Sequence, residues 1–192
     1  MNRNSFLKAC VAAGAFLAAP VSAISRTIGK RRVNKAIWVN AGKDRFDKPI
    51  TLFEGDTFYT KVSTTDSDGD VYMFESTRQK EGGPALHYHY DQDEFWYVLK
   101  GEFLFKVGDE TFTAKAGDTV MGPRKVPHAF SKLGKEEGKL LMFFQPAGKM
   151  EDMFKKISEG FTKNMSEAEQ DQFREEHGIK RVGPPLDHFK KW

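Results

Sequence analysis

The sequence contains a single cysteine, Cys10, among its 192 residues. Because Cys10 lies in a stretch that we expect to be removed, the remaining chain can form no disulfide bond and offers no thiolate to a metal ion. Residues 1–23 contain Arg3 and Lys8 but no acidic residue, so the rest of the chain carries 28 basic and 27 acidic residues. These charges alternate along the chain, which argues against a nucleic-acid surface.

Long hydrophobic runs are also absent. The longest, Ala9–Ala19, is too short to span a bilayer comfortably. It follows Arg3 and Lys8 and precedes the small residues Val21-Ser22-Ala23, a pattern typical of a secretory signal peptide over residues 1–23 with cleavage after Ala23. We therefore expect an exported protein, periplasmic or extracellular, without stable membrane association after cleavage. An uncleaved N-terminal helix or membrane anchor is the alternative.

Short β-type segments separated by Gly- and Asp-rich turns fill most of the remaining sequence, which predicts an all-β barrel or sandwich. Residues 24–48 are expected to form a leader with a short strand at 36–39, and residues 49–147 the barrel. The run Asp66-Ser67-Asp68-Gly69-Asp70 predicts a hairpin turn. The apolar strand 140–144 has no polar face, so we expect a second sheet or a partner subunit to cover it.

Residues 148–192 change in character and predict helices followed by an extended arm. Met150, Met153 and Ile157 recur at helical spacing, and Ser166 and Glu169 form a capping box at the start of a second helix. Gly178 is a good helix stop. The arm is predicted to begin near Val182.

Three histidines and one glutamate form the most informative group. Because side chains alternate along a strand, His87 and His89 share a face, and a turn brings Glu94 back on an adjacent strand. His128 can complete the set from a later strand. Three imidazoles and a carboxylate would hold one divalent transition metal with open coordination positions. The alternative is that His87 and His89 face solvent and that Leu86, Tyr88 and Tyr90 form the buried face of the strand.

The spacing of these residues resembles the two sequence motifs of the cupin superfamily. His87 and His89 are followed by Glu94 and Gly101, and Gly117 and Pro123 precede His128. The departures include Lys125 in place of an internal glycine. The resemblance implies a cupin barrel (a double-stranded β-helix, or jelly roll) with a C-terminal helical extension. It also implies that His87, His89, Glu94 and His128 bind Fe, Mn, Ni, Co, Cu or Zn.

Apolar residues on the same strand faces as the metal ligands predict a substrate pocket. Its expected members are Trp96, Val98, Phe130, Met142 and Phe144. Their alternative role is to fill the core of the barrel. If the barrel is not full, they would line a cavity suited to a flat aromatic ligand.

Together with the metal motifs, the helical tail and the segment at residues 178–185 also resemble those of bacterial quercetin 2,3-dioxygenases. This resemblance implies a metal-dependent dioxygenase acting on a small aromatic, flavonol-like substrate. Glu94 would then be catalytic, both binding the metal and accepting a phenolic proton. A metal-dependent hydrolase, lyase or isomerase of a small oxygenated molecule, or a non-catalytic binding protein, are the alternatives. We expect a homodimer.

Overall fold

The computed structural model describes residues 32–52 and 55–186, so the predicted signal peptide lies outside the described residues. Within these ranges, neither helix is long and apolar enough to cross a membrane. The elements in chain order are β1 (Ile50–Leu52), β2 (Asp56–Val62), β3 (Tyr72–Arg78), β4 (Ala85–His89), β5 (Asp93–Lys100), β6 (Glu102–Val107), β7 (Glu110–Lys115), β8 (Thr119–Gly122), β9 (His128–Leu133), β10 (Gly138–Gln145), α1 (Met150–Ser158), α2 (Glu167–Glu176) and β11 (Ile179–Pro185).

Two antiparallel sheets form a β-barrel, as the sequence predicts. The first has the strand order β1-β2-β3-β10-β5-β8, and the second the order β11-β4-β9-β6-β7. Strands β2 and β3 pair as a hairpin around the predicted turn at residues 66–70. The expected strand at Ala36–Val39 is wrong: this segment has no strand partner, and Trp38 is 90% exposed. An apolar β-type segment without a ladder partner remains irregular.

Alternation along the central strands fills the space between the sheets with apolar side chains. In β10, Leu140, Met142 and Phe144 are buried, whereas the intervening residues are only half-buried. In β5, the buried positions are Glu94, Trp96 and Val98. Glu94 therefore occupies the interior face of a strand that is otherwise apolar on that side, which places its carboxylate inside the barrel.

The C-terminal extension covers one end of the barrel. Helix α2 begins with the predicted capping box, in which Ser166 accepts from the Glu169 backbone and Glu169 accepts from the Ser166 backbone. After Gly178 the extended segment begins at Ile179 rather than near Val182 and forms a strand, β11, which pairs with β4. Arg181 on β11 lies opposite His87 in the register of this pair. The extension thus lies directly beside the strand that carries two predicted metal ligands.

One buried carboxylate fixes α1 to the barrel. Glu151 is 5% exposed and accepts hydrogen bonds from the Ser63 hydroxyl (2.8 Å), the Thr64 backbone N–H (2.7 Å) and the Lys155 ammonium (2.7 Å). Burial alone would raise the pKa of Glu151, but these donors hold it below 4.5. The carboxylate therefore stays ionised near neutral pH and joins α1 to the loop after β2.

Replacing Glu151 by Gln should lower the free energy of unfolding by about 2 kcal/mol at neutral pH, because hydrogen bonds to a charged acceptor are replaced by weaker ones. Since the pKa of Glu151 is lowered on folding, its contribution is fully present above pH 4.5 and is lost as the pH falls. Urea unfolding of both proteins across this range should show the difference shrinking in acid. Asp152→Asn, at an exposed position of the same helix, is the control and should have little effect. A difference that does not change with pH would contradict this assignment.

Candidate metal centre

The three histidines and the glutamate converge between the two sheets. His87 and His89 lie on β4 and His128 on β9 of one sheet, and His87 is directly opposite His128 in the register. Glu94 approaches from β5 of the other sheet. The potential ligand atoms all lie within 4.8 Å of one another. Solvent-facing histidines, the alternative considered from the sequence, are excluded for His89 and His128, which are 0% exposed.

The separations between ligand atoms suit a single bound ion. Glu94 Oε2 lies 3.0 Å from His89 Nε2, 3.2 Å from His128 Nε2 and 3.9 Å from His87 Nε2. Donor atoms that bind one ion at 2.0–2.2 Å are separated by roughly 3 Å when they are adjacent around it. The four residues therefore meet the spatial requirement for a transition-metal site and could hold a metal ion.

Hydrogen bonds on the far side of two rings orient their metal-binding atoms. His87 Nδ1 lies 2.7 Å from the Ala85 carbonyl oxygen, and His128 Nδ1 lies 2.9 Å from the Val126 carbonyl oxygen. A carbonyl oxygen only accepts, so each Nδ1 carries a hydrogen and each Nε2 is directed at the Glu94 carboxylate. A metal ion bound between these atoms would be coordinated by the imidazole nitrogens and the carboxylate together. This arrangement is typical of metal-binding histidines.

The electrostatics favour the protonation states that a metal ion requires. Burial, together with neighbouring His128 and His89, lowers the pKa of His87 to about 3, so this ring is neutral near pH 7. Burial would raise the pKa of Glu94, but its contacts with His128 and His89 lower it to about 2. A neutral imidazole and an ionised carboxylate are the forms that coordinate metal ions.

Two turn residues help to shape the site. A Cβ atom on Gly122 would lie 2.8 Å from His128 Nδ1 and 2.8 Å from the Trp96 ring, so only glycine leaves both rings in place. Lys125, which replaces a glycine of the cupin motif, has a φ of 64° and donates its backbone N–H to the His89 carbonyl oxygen at 2.7 Å. The chain therefore keeps the left-handed turn that the motif glycine would favour, with a lysine in that position.

A cavity of about 540 Å³ opens from the metal centre. Of the predicted pocket residues, Phe130, Met142 and Phe144 line it, together with His87, His89 and Glu94. Trp96 and Val98 do not line the cavity. They are 2% and 0% exposed, and the Trp96 ring packs edge-on against His128 and Phe105. The barrel is thus filled at these two positions, and the cavity opens towards the other end.

Several cavity residues were missed from the sequence. Met150, Met153 and Phe154 of α1, Phe173 of α2 and Arg181 of β11 line the cavity, so the extension forms one of its walls. Arg78 and Asp56 add an ion pair. Period-2 alternation in β3 could have indicated Arg78, since it shares a face with the core residues Tyr72, Phe74 and Ser76. The helical spacing of Met150, Met153 and Ile157 predicted an apolar face on α1 but not that this face lines the cavity.

Comparison with known proteins agrees with this geometry. Residues 74–144 match the family model of the cupin domain. The barrel therefore has the cupin fold. The chain is 37% identical over 67 residues to the uncharacterized protein MJ1618 of Methanocaldococcus jannaschii, covering 35% of this chain and 54% of that protein. It is 33% identical over 60 residues to polyketide synthase CurC of Streptomyces cyaneus, covering 31% of this chain and 39% of CurC. The chain thus spans about half or less of the length of these curated relatives.

Solved cupin structures are more distant in sequence. KdgF from Halomonas sp. is 17% identical with a TM-score of 0.49, covering 58% of this chain and 94% of that one. A predicted oxalate decarboxylase from Thermotoga maritima is 17% identical with a TM-score of 0.47, covering 52% and 90%. None of these named relatives is described as a quercetin dioxygenase, so that resemblance stays a prediction.

Proposed function

We propose that the protein is a metal-dependent cupin oxidoreductase, a dioxygenase acting on a small aromatic, flavonol-like substrate. The observation that carries this proposal is the position of the three-histidine, one-glutamate group in the wall of an aromatic-lined cavity. His87, His89, Glu94 and His128 would hold one divalent transition metal. When bound, the metal would supply Lewis acidity that lowers the pKa of a substrate hydroxyl.

The side chains around the centre suit an aromatic substrate. Phe144 packs against the His89 ring with centroids 5.2 Å apart, and Phe130, Met142 and Phe154 extend the apolar wall away from the metal ligands. This wall would exclude water and hold a flat ring beside the centre. Glu94, kept ionised by its low pKa, is in position to accept a proton from a phenolic hydroxyl as well as to bind the metal.

A hydrolase, lyase or isomerase acting on a small oxygenated molecule is the second candidate. The Arg78–Asp56 ion pair in the cavity supports it, because a purely apolar ring would leave these charges without a role in binding. Both candidates need the same metal centre. They differ in whether turnover consumes oxygen.

The proposed ligand set predicts about one equivalent of transition metal in natively purified protein and strong depletion in His89→Ala and Glu94→Ala, because each change removes a ligand from a buried site. Elemental mass spectrometry, after purification without affinity nickel, measures this directly. His177→Ala is the matched control, since His177 is also buried but binds Asp152 and the Phe173 carbonyl away from the centre. Full metal content in either ligand variant would refute the four-ligand assignment. A wild-type protein that takes up no metal would refute both enzyme proposals and leave a binding protein.

Turnover of a flavonol by the metal-loaded protein should consume oxygen. With quercetin as the probe, an oxygen electrode should record uptake in step with the loss of flavonol absorbance. His89→Ala should reduce the rate at least 100-fold, as the metal centre is lost. Turnover of small oxygenated substrates at an unchanged rate under anaerobic conditions would contradict the dioxygenase and favour the second candidate.

We also propose that two copies of the chain associate through the outer face of the six-stranded sheet. One row of side chains across this face consists of Met73, Phe143, Phe95 and Met121, and the Phe95 and Phe143 rings stack with centroids 4.5 Å apart. Tyr97, in the adjacent row, is 39% exposed and Met121 is 45% exposed. A continuous apolar face on a sheet is typical of a subunit interface.

Introducing a charge on this outer face should yield monomers, because burying an unpaired lysine at an interface is costly. Light scattering after gel filtration should give twice the chain mass for the wild type and the chain mass for Met121→Lys. Trp38→Lys, at a 90% exposed position outside the sheets, should remain dimeric. A monomeric wild type, or a dimeric Met121→Lys variant, would show that this face is not the interface.

A further inference from the structure

Arg78 brings a positive charge into an otherwise mostly apolar region of the cavity. It is the last residue of β3, where Tyr72, Phe74 and Ser76 take the preceding interior positions and are each 0% exposed. Arg78 lines the same cavity as His87, His89 and Glu94, and its side chain is 12% exposed. A nearly buried cation that still borders an open cavity needs an explanation beyond core packing.

The protein satisfies this guanidinium only in part. Its Nη2 lies 2.5 Å from Asp56 Oδ2, and its central carbon lies 4.9 Å above the Phe130 ring. Its Nε is buried and has no hydrogen-bond partner among the residues that the structure describes. A guanidinium carries five N–H donors, and a single carboxylate does not use them all. The ion pair therefore retains donor capacity.

Burial makes this pair costly without a ligand. Desolvation raises the pKa of Asp56 and lowers that of Arg78, and their mutual attraction only opposes these shifts. Buried ion pairs of this kind often contribute no net stability compared with apolar side chains of the same volume. A second acceptor from a bound molecule would use the remaining donors, and Arg is suited to planar, two-oxygen acceptors.

The position of Arg78 relative to the metal ligands sets the size of that molecule. Phe130, over which Arg78 lies, is two residues beyond His128 on β9 and faces the same interior. Two residues on a strand span roughly 6.5–7 Å. One small molecule with an aromatic ring between its two polar ends can therefore reach both the metal ligands and Arg78.

We propose that Arg78, oriented by Asp56, binds a carboxylate at the end of the substrate remote from the metal centre. This assignment rests on the proposed metal-dependent function, and it replaces a neutral flavonol as the preferred substrate by a small aromatic acid with metal-chelating oxygens at the opposite end. Asp56 is a positioning residue that holds the guanidinium over Phe130.

A pair of probes of equal shape tests the assignment. 3,4-Dihydroxybenzoate offers two adjacent hydroxyls to a metal ion and a carboxylate at the far end of its ring, and 3,4-dihydroxybenzamide differs only in replacing that carboxylate by a neutral amide. Calorimetric titration of metal-loaded wild-type protein should give a dissociation constant at least tenfold lower for the acid. Arg78→Met should abolish this preference and leave metal content and amide affinity within about twofold of the wild type, since charged hydrogen bonds carry such discrimination.

The controls separate charge recognition from folding. Arg45→Met removes a comparable arginine, which pairs with Asp66 and lies 5.2 Å from the Phe46 ring, away from the cavity, and should keep the preference. The double variant R78M/D56N avoids an unpaired buried carboxylate and should lack the preference. Equal affinities for acid and amide in the wild type, or a preference that persists in Arg78→Met, would overturn the role of Arg78 alone. Failure of metal-loaded protein to bind either probe would overturn the aromatic-acid assignment, whereas failure of the wild type to take up a metal would overturn the proposed function as well.

Discussion

The convergence of three imidazole nitrogens on one buried carboxylate is the constraint on which the rest of the structure depends. His87 and His128 donate Nδ1–H to carbonyl oxygens and so direct Nε2 at the Glu94 carboxylate, which is 3% exposed. A metal ion bound at this point would be shared by all four side chains. The two sheets hold these side chains together, and the packing of Trp96 against His128 and of Phe144 against His89 supports them. Such preorganisation favours an ion of fixed coordination geometry.

The C-terminal extension covers the end of the barrel at which the cavity opens. Helix α1 is fastened through Glu151 to the loop after β2, and Arg181 of β11 binds Asp171 of α2 and thereby links the two elements over the cavity. The Asp171 carboxylate lies on the surface, so this link is worth less than the buried Glu151 contacts. The wall that shapes the cavity is therefore fixed more firmly at α1 than at α2.

Local chemistry explains which features could be predicted from the sequence. Period-2 alternation placed His87, His89 and Glu94 inside the barrel, turn residues indicated the β2–β3 hairpin, and Ser166 and Glu169 marked the start of α2. Each of these signals acts within a few residues along the chain. The strand expected at Ala36–Val39 shows the limit of such local signals. Its apolar residues indicated a strand, but a strand also needs a partner, and pairing depends on distant segments.

Long-range packing decided the features that could not be predicted. Trp96 and Val98 share the face of Glu94, as expected, yet they fill the core because Phe105 and neighbouring rings leave no space beside them. The cavity opens instead where β11 pairs with β4 and the helices cover the barrel end, an arrangement set by contacts between residues nearly 100 positions apart.

The cavity is chemically asymmetric, and this asymmetry carries more information about the substrate than the metal ligands do. One end is lined by His87, His89 and Glu94 of the metal centre, the middle is aromatic, and the other end presents an arginine whose donors are only partly used. A ligand that satisfied only the metal would leave the guanidinium desolvated, and one that satisfied only Arg78 would leave the metal centre unused. Because unsatisfied buried charges are costly, the best ligand is one whose two polar ends match both sites across an aromatic ring. The requirement for two polar ends joined by an aromatic ring applies to an oxygenase and to a lyase alike. It therefore restricts the substrate but not the type of reaction.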